Sequence, residues 1–147
     1  MPSIREFVDG DAGAVAQLAS KSPGAAQWPE ASYARLAING YHAWVAINDE
    51  VAEIVGFIIT RRFAPEAEIL NLAVAGALRG TGTGSVLLGA ALSELGANHI
   101  NRVFLEVRAS NTAAISFYKK HLFRETGTRS AYYHGPVEDA LLMERLL

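Results

Sequence analysis

Ile69-Leu70-Asn71-Leu72-Ala73-Val74, followed after Ala75 to Leu78 by Arg79-Gly80-Thr81-Gly82-Thr83-Gly84-Ser85, is the stretch that decides the fold. Its first part is an apolar strand segment and its second a glycine loop. Beyond the loop, Leu87, Leu88, Ala91, Leu92 and Leu95 recur at helical spacing, and Gly96 closes that helix. Arg102 to Val107 then reads as a buried strand, because Val103, Phe104, Leu105 and Val107 leave little to expose. Asn111-Thr112 starts another helix, whose inward face is expected to carry Ile115, Tyr118 and Leu122 or their neighbours. Strand, glycine loop, helix, strand, helix is the pattern of a crossover connection between parallel strands.

Working outward, Ser3 to Val8 reads as a first strand, and Asp9 or Asp11 starts a helix running to about Ser20. Lys21 to Gln27 is a loop. A second helix is expected from Trp28-Pro29-Glu30 to a left-handed stop near Asn39-Gly40. Tyr41 to Ile47 and Ala52 to Thr60 form a hairpin pattern around Asn48-Asp49-Glu50. Arg124 to Tyr132 and Asp139 to Leu146 complete the strands around His134-Gly135-Pro136. With 147 residues, no linker and no repeat, the chain reads as one domain over residues 1–147. Its class is α/β (α+β in some schemes), a mixed sheet with helices on both faces.

Composition narrows the function. Thirteen basic and fifteen acidic residues, interspersed, give a net charge of -2, which argues against a broad nucleic-acid-binding face. The absence of cysteine excludes disulfides, thiolate metal sites and a cysteine nucleophile. His42, His99, His121 and His134 are too scattered to suggest a metal site, so no metal is expected. No apolar run approaches the ~20 residues that span a bilayer, and the start carries no apolar signal region. A soluble, cytoplasmic protein without membrane or direct nucleic-acid contact is the expectation.

The glycine loop between a strand and a helix start is an anion site in physical terms. Glycines allow a sharp turn and close backbone approach, while free N–H groups and the helix dipole favour phosphate oxygens. Arg79 adds a bidentate cation, and Thr83 and Ser85 add hydroxyl donors. Gly84-Ser85 lacks the preceding lysine of a nucleoside-triphosphate loop. A dinucleotide loop is the competing reading, with Glu106 as the acidic ribose contact, but the spacing is GxGxG rather than GxGxxG. Glu106 itself interrupts an apolar strand. Such a carboxylate is solvated, paired (with Arg108 or Arg102 as neighbours) or chemically used.

Arg79-x-x-Gly82-x-Gly84 resembles the acyl-coenzyme-A pyrophosphate loop of the GNAT superfamily of N-acetyltransferases. The C-terminal half is similar to the RimI-type enzymes, which acetylate the N-terminal alanine of a small-subunit ribosomal protein. Asn71-Leu72-Ala73-Val74, the Leu105 to Ala114 stretch, Tyr132-Tyr133 and Glu138-Asp139-Ala140-Leu141 carry the resemblance. It implies a mixed, mostly antiparallel twisted sheet of about seven strands, splayed between the fourth (Ile69 to Val74) and the fifth (Arg102 to Val107). It also implies acetyl-CoA as cosubstrate, lying in that splay. A bulge at Leu72, Ala73 and Val74 would offer backbone donors to it, Arg79, Gly80, Thr81, Gly82, Thr83, Gly84 and Ser85 would hold its pyrophosphate, and Asn111 would touch the pantetheine arm.

By the same resemblance Glu106 is the general base, accepting a proton from the amine directly or through water. Tyr118 is the general acid beside the departing thiolate. Trp28, Glu106, Tyr132 and Tyr133 line the acceptor side, and Glu138 and Asp139 attract a cationic N-terminus. Helix packing for Tyr118, helix capping for Asn111 and core anchoring for Trp28 are the structural alternatives. Two departures stand out. Gly80 and Thr81 occupy positions that often carry a polar or basic side chain, which leaves Arg79 with Lys119-Lys120 in support, and His121-Leu122-Phe123 replaces a common Leu-Gly-Phe. The partners expected are acetyl-CoA and a protein N-terminus, with a ribosomal protein the leading candidate and a monomer the expected state. Transfer to an internal lysine or a small-molecule amine, and a non-catalytic acyl-CoA-binding protein, remain the alternatives.

Overall fold

The computed structural model describes residues 1–147. Its elements are β1 (Ser3–Glu6), α1 (Ala12–Ser20), α2 (Glu30–Tyr33), β2 (Tyr41–Asn48), β3 (Glu53–Phe63), β4 (Glu66–Val74), α3 (Thr83–Ala97), β5 (Arg102–Arg108), α4 (Thr112–Lys120), β6 (Arg124–Tyr133) and β7 (Glu138–Leu146). The seven strands form one sheet in the order β1-β2-β3-β4-β5-β7-β6. Only the β4–β5 pair is parallel, as the crossover through α3 requires. The expected mixed sheet with helices on both faces is the one observed. No helix is long and apolar enough to cross a membrane.

Each face of the sheet has its own core. On one, Leu87, Leu88, Ala91 and Leu95 of α3 pack with Ile58, Ile69, Val103 and Tyr118. On the other, Val15 and Ala19 of α1 pack with Tyr33, Leu36, Phe57 and Ala73. Complete burial of Leu87, Leu88 and Leu95 contributes about 1.5–3 kcal/mol each. Burial therefore holds α3 in place, since its N-terminus has no side-chain cap.

β4 and β5 pair only through Glu66–Glu68 and Arg102–Phe104. They then diverge, β4 remaining with β3 as far as Val74 and β5 with β7 as far as Arg108. The expected splay is therefore present. The bulge lies earlier than expected. Thr60 pairs with Ile69 and Ile59 with Asn71, so Leu70 is the extra residue, while Leu72, Ala73 and Val74 pair regularly with Ile58, Phe57 and Gly56. Packing explains the position. Ala67 and Ile69 enter the α3 core but Ala73 enters the α1 core, so the strand must change parity between Ile69 and Ala73.

Two other expectations are corrected. The second helix is one turn, Glu30–Tyr33, continued by turns to Gly40. Only Tyr33 and Leu36 anchor that segment in the core while Ile38 is exposed, too little burial to offset helix nucleation. Leu122 does not face inward. It is 73% exposed at φ +69°, and Phe123 takes the inward position against Tyr118.

Candidate active site

Where β4 and β5 part, a cleft of about 580 Å³ opens between residues 69–74 and 105–108. Asn111, Ala114 and Tyr118 close one side and residues 22–28 another. The edge groups that the two strands present to the gap have no strand partner there, which is how a sheet offers N–H and C=O groups to a ligand.

The glycine loop lies beyond the C-terminal end of β4. Gly80 (φ +77°) and Gly82 (φ +94°) are left-handed, a conformation that glycine adopts without steric cost. Gly82 is the N-cap of α3, and the first main-chain bond of the helix runs from Val86 N–H to Gly82 C=O. The N–H groups of Thr83, Gly84 and Ser85 are therefore unpaired at the positive end of a fifteen-residue helix. A Cβ on Gly84 would stand 3.4 Å from the Phe117 ring, so glycine lets the helix start approach α4. The hydroxyls expected to help are engaged elsewhere. Thr83 is buried with its Oγ1 3.1 Å from that of Thr81, and Ser85 Oγ lies 2.9 Å from His121 Nε2. Lys119 pairs with Glu125 at 2.8 Å. The anion cradle is thus main-chain N–H plus the exposed Arg79, which fits a pyrophosphate, with the narrow, largely apolar cleft behind it fitting a pantetheine arm.

Glu106 lies on β5 with its side chain 16% exposed. Its partner is neither Arg108 nor Arg102 but Arg129 of β6, with Nε 3.1 Å from Oε1. Arg102 is held between Glu66 and Glu144, and Arg108 bonds Glu138 at 3.2 Å. The negative charge of Glu106 pushes the Tyr132 phenol up, and burial, then Glu106, does the same to Tyr133. Burial first and Glu106 second push up the carboxyl of Glu68, a half-buried β4 residue absent from the sequence reading.

Asp139 and Glu138 work on the chain itself. Arg129 pairs with Ala140 and Tyr133 with Glu138, so Ser130, Ala131 and Tyr132 together oppose Asp139 alone. Ala131 adopts φ +50° and donates its N–H to Asp139 Oδ1 at 2.8 Å. This bulge brings Tyr132 and Arg129 to Glu106, with the Arg129 guanidinium 5.3 Å from the Tyr132 ring centre. Glu138 accepts from Ser110 N–H at 2.6 Å, and that bond with the Arg108 pairing holds its carboxyl below the ordinary range. Arg108 in turn lies 4.4 Å over the Tyr133 ring. Glu138 is thus engaged by Arg108 and Ser110, while Asp139 is exposed with one oxygen on Ala131 N–H.

Tyr118 of α4 reaches the cleft from the opposite face, its ring 5.3 Å from those of Phe117 and Phe123. Burial pushes its phenol far up, and its hydroxyl has no hydrogen-bond partner in the chain. Asn111 lines the cleft while its Oδ1 accepts from Ala114 N–H at 3.2 Å, so the capping role is filled. Trp28 stands at the rim, 5.4 Å from the Tyr33 ring and 6.4 Å from that of Tyr41. No three His, Asp or Glu side chains converge as a metal site would need.

Residues 14–123 match the model of the acetyltransferase (GNAT) family. The chain is 36% identical over 121 residues to an uncharacterised protein of Mycobacterium leprae, covering 80% of this chain and 33% of that one. It is 35% identical over 94 residues to the ribosomal protein bS18-alanine N-acetyltransferase of Haemophilus influenzae, covering 62% of this chain and 64% of that enzyme. The crystal structure of the ribosomal-protein-S18-alanine N-acetyltransferase from Escherichia coli superposes with a TM-score of 0.88 at 29% identity, covering 99% and 94% of the two chains. The matched sequence stretches thus span from a third to just under two thirds of those two curated relatives.

Proposed function

Because the chain belongs to the acetyltransferase (GNAT) family, we propose that it transfers the acetyl group of acetyl-CoA to the N-terminal amine of a protein. The N-terminal alanine of a small-subunit ribosomal protein is the acceptor we favour. The supporting observation is one cleft lined by Arg79, Glu106 and Tyr118, with the unpaired N–H groups of residues 83–85 past the end of β4. The likeness to the bS18-alanine N-acetyltransferases supports the acceptor.

Acetyl-CoA supplies the activated thioester. Main-chain N–H groups of residues 83–85 and Arg79 hold its pyrophosphate, and the unpaired β4 edge offers donors to the oxyanion that forms on attack. The acceptor amine must be neutral to attack. An α-amino group has a reference pKa near 8, so its deprotonation costs little at neutral pH and Glu106 takes the proton directly or through water. The nitrogen bonds to the acetyl carbon, the carbon–sulfur bond breaks, and the Tyr118 hydroxyl gives its proton to the departing thiolate. Burial pushes that phenol up and so weakens it as an acid, but the same desolvation disfavours a bare thiolate beside it, which is what lets the proton pass. The absence of cysteine excludes a cysteinyl acyl-enzyme, and the transfer proposed here is direct between the two bound substrates.

Calorimetry with acetyl-CoA, followed by free-thiol release on adding an alanine-starting basic peptide, tests the proposal. Mass spectrometry must place the acetyl group on the peptide N-terminus. Acetylation of internal lysine alone would redirect the function to another amine. Binding without turnover on any amine would leave an acyl-CoA-binding protein.

A further inference from the structure

We propose that Asn71 is a positioning residue which holds residues 23–27 as a strap over the acceptor side of the cleft, and so sets how firmly the incoming amine is presented. This role presupposes the acetyl transfer proposed above. Asn71 is 5% exposed among the apolar side chains beneath α1, where an unpaired carboxamide would be costly. It is fully used. Its Oδ1 accepts from Ala26 N–H at 3.2 Å, its Nδ2 donates to Ala26 C=O at 3.1 Å, and the same Nδ2 reaches the Tyr33 hydroxyl at 3.5 Å. A carboxamide has one donor end and one acceptor end, and here they grip one residue's main chain as a neighbouring strand would. Aspartate lacks the donor, and an apolar side chain lacks both.

From that grip the strap passes to Gly24, at φ +88°. A Cβ there would lie 2.6 Å from Asn111 Nδ2. The segment therefore runs from the β4 wall to the residue that caps α4, across the gap between the parted strands. Gln27 Nε2 ties the strap to Ala19 C=O at 2.8 Å and Ala25 C=O at 3.0 Å, and residues 21–29 lie in no strand or helix. The strap lies on the acceptor side. Val103, Leu105 and Val107 enter the α3 core, so Glu106 between them faces the same side of the sheet as Asn71. The amide cradle stands apart, past the end of β4.

Asn71→Ala, Asn71→Asp and Gly24→Ala in the full chain test the role, using acetyl-CoA and the alanine-starting peptide. Asn71→Ala is expected to lose hydrogen-exchange protection at Ala26 N–H, whereas Asn71→Asp keeps that acceptor and loses the bond to Ala26 C=O. Their peptide KM should rise about tenfold, with acetyl-CoA Kd within twofold of wild type. Gly24→Ala, which strains the left-handed turn of the strap and crowds the Asn111 side chain while leaving Asn71 in place, should raise peptide KM in the same way. An active wild type whose Asn71→Ala variant keeps its peptide KM overturns the role. So does a variant that weakens peptide and acetyl-CoA equally, because that marks general loosening. A wild type that binds acetyl-CoA yet acetylates no amine removes the transfer reading and this role together.

Discussion

Replacing Gly82 by alanine probes the anion cradle at one point. Gly82 sits at φ +94°, ψ -1°, and its left-handed turn leaves the first amides of α3 unpaired past the end of β4. Holding an L-residue in that region costs about 1–2 kcal/mol. A Cβ would meet only Met1 Cε, at 3.4 Å, so the cost is conformational rather than steric. It can appear in one of two places. If the loop keeps its shape, Tm falls by about 2–8 °C for a domain of this size. If the loop relaxes to negative φ, the fold recovers and the amides turn away, raising the acetyl-CoA Kd by about 5–30-fold. Thermal melts with and without acetyl-CoA, alongside calorimetry, separate the two. At a concentration a hundred times the wild-type Kd, ligand stabilises wild type by about 2.7 kcal/mol, but a tenfold weaker variant by only about 1.4 kcal/mol. Unchanged Tm together with unchanged Kd would falsify the cradle.

Glu106→Gln should lower kcat/KM for the peptide by about 10²–10³-fold without changing acetyl-CoA Kd, since glutamine accepts no proton. Equal activity at all pH values would remove the base assignment. Tyr118→Phe keeps the ring packing and loses the proton, so kcat should fall by about ten- to a hundredfold at constant Tm. The smaller loss reflects a thiolate that leaves readily on its own; a large fall in Tm would instead mark Tyr118 as structural. Acid stability should report Glu144, whose carboxyl the Arg102 bond and then the Arg124 bond hold below the usual carboxylate range. A carboxyl lowered in the fold stabilises above its unfolded pKa and loses that contribution as pH falls through the folded value. Tm measured downward from about pH 4.3 should therefore fall less steeply in Glu144→Gln than in wild type.

The crossover at the centre of the fold is legible because its signals are local. Leucines at helical spacing, an apolar run and glycines between them name the elements of residues 69–107 within a residue or two. The segment before Gly40 is read less well, since helix start and stop residues say nothing about how little of it the core will bury. The bulge is displaced for a related reason. Ile69 to Val74 is apolar on both faces, and only the two separate cores show where the strand changes sides. Glu106 and Tyr118 both line the cleft between the parted strands, and of the glycine loop Arg79 reaches it. Partners far apart in the chain were not visible. Arg129 on Glu106, Asn71 on Ala26 and Asp139 on Ala131 depend on distances that no spacing pattern encodes. The pairing of Glu138 with Arg108 redirects an acid that looks free in sequence.

Leu70 gives β4 two reading frames along one strand. Up to Ile69, odd-numbered side chains belong beneath α3, and from Asn71 onward the odd-numbered ones belong beneath α1. Pairing Leu70 as an ordinary strand residue, with the bulge lost and the residue kept, would turn Asn71 into the leucine-lined layer and Leu72 toward the strap, whereas excising Leu70 would leave both on their present sides. In that straightened strand the wall of the cleft and its fastening would exchange sides together, so the bulge rather than the leucine within it keeps the chemistry and the hydrophobic interior from trading places.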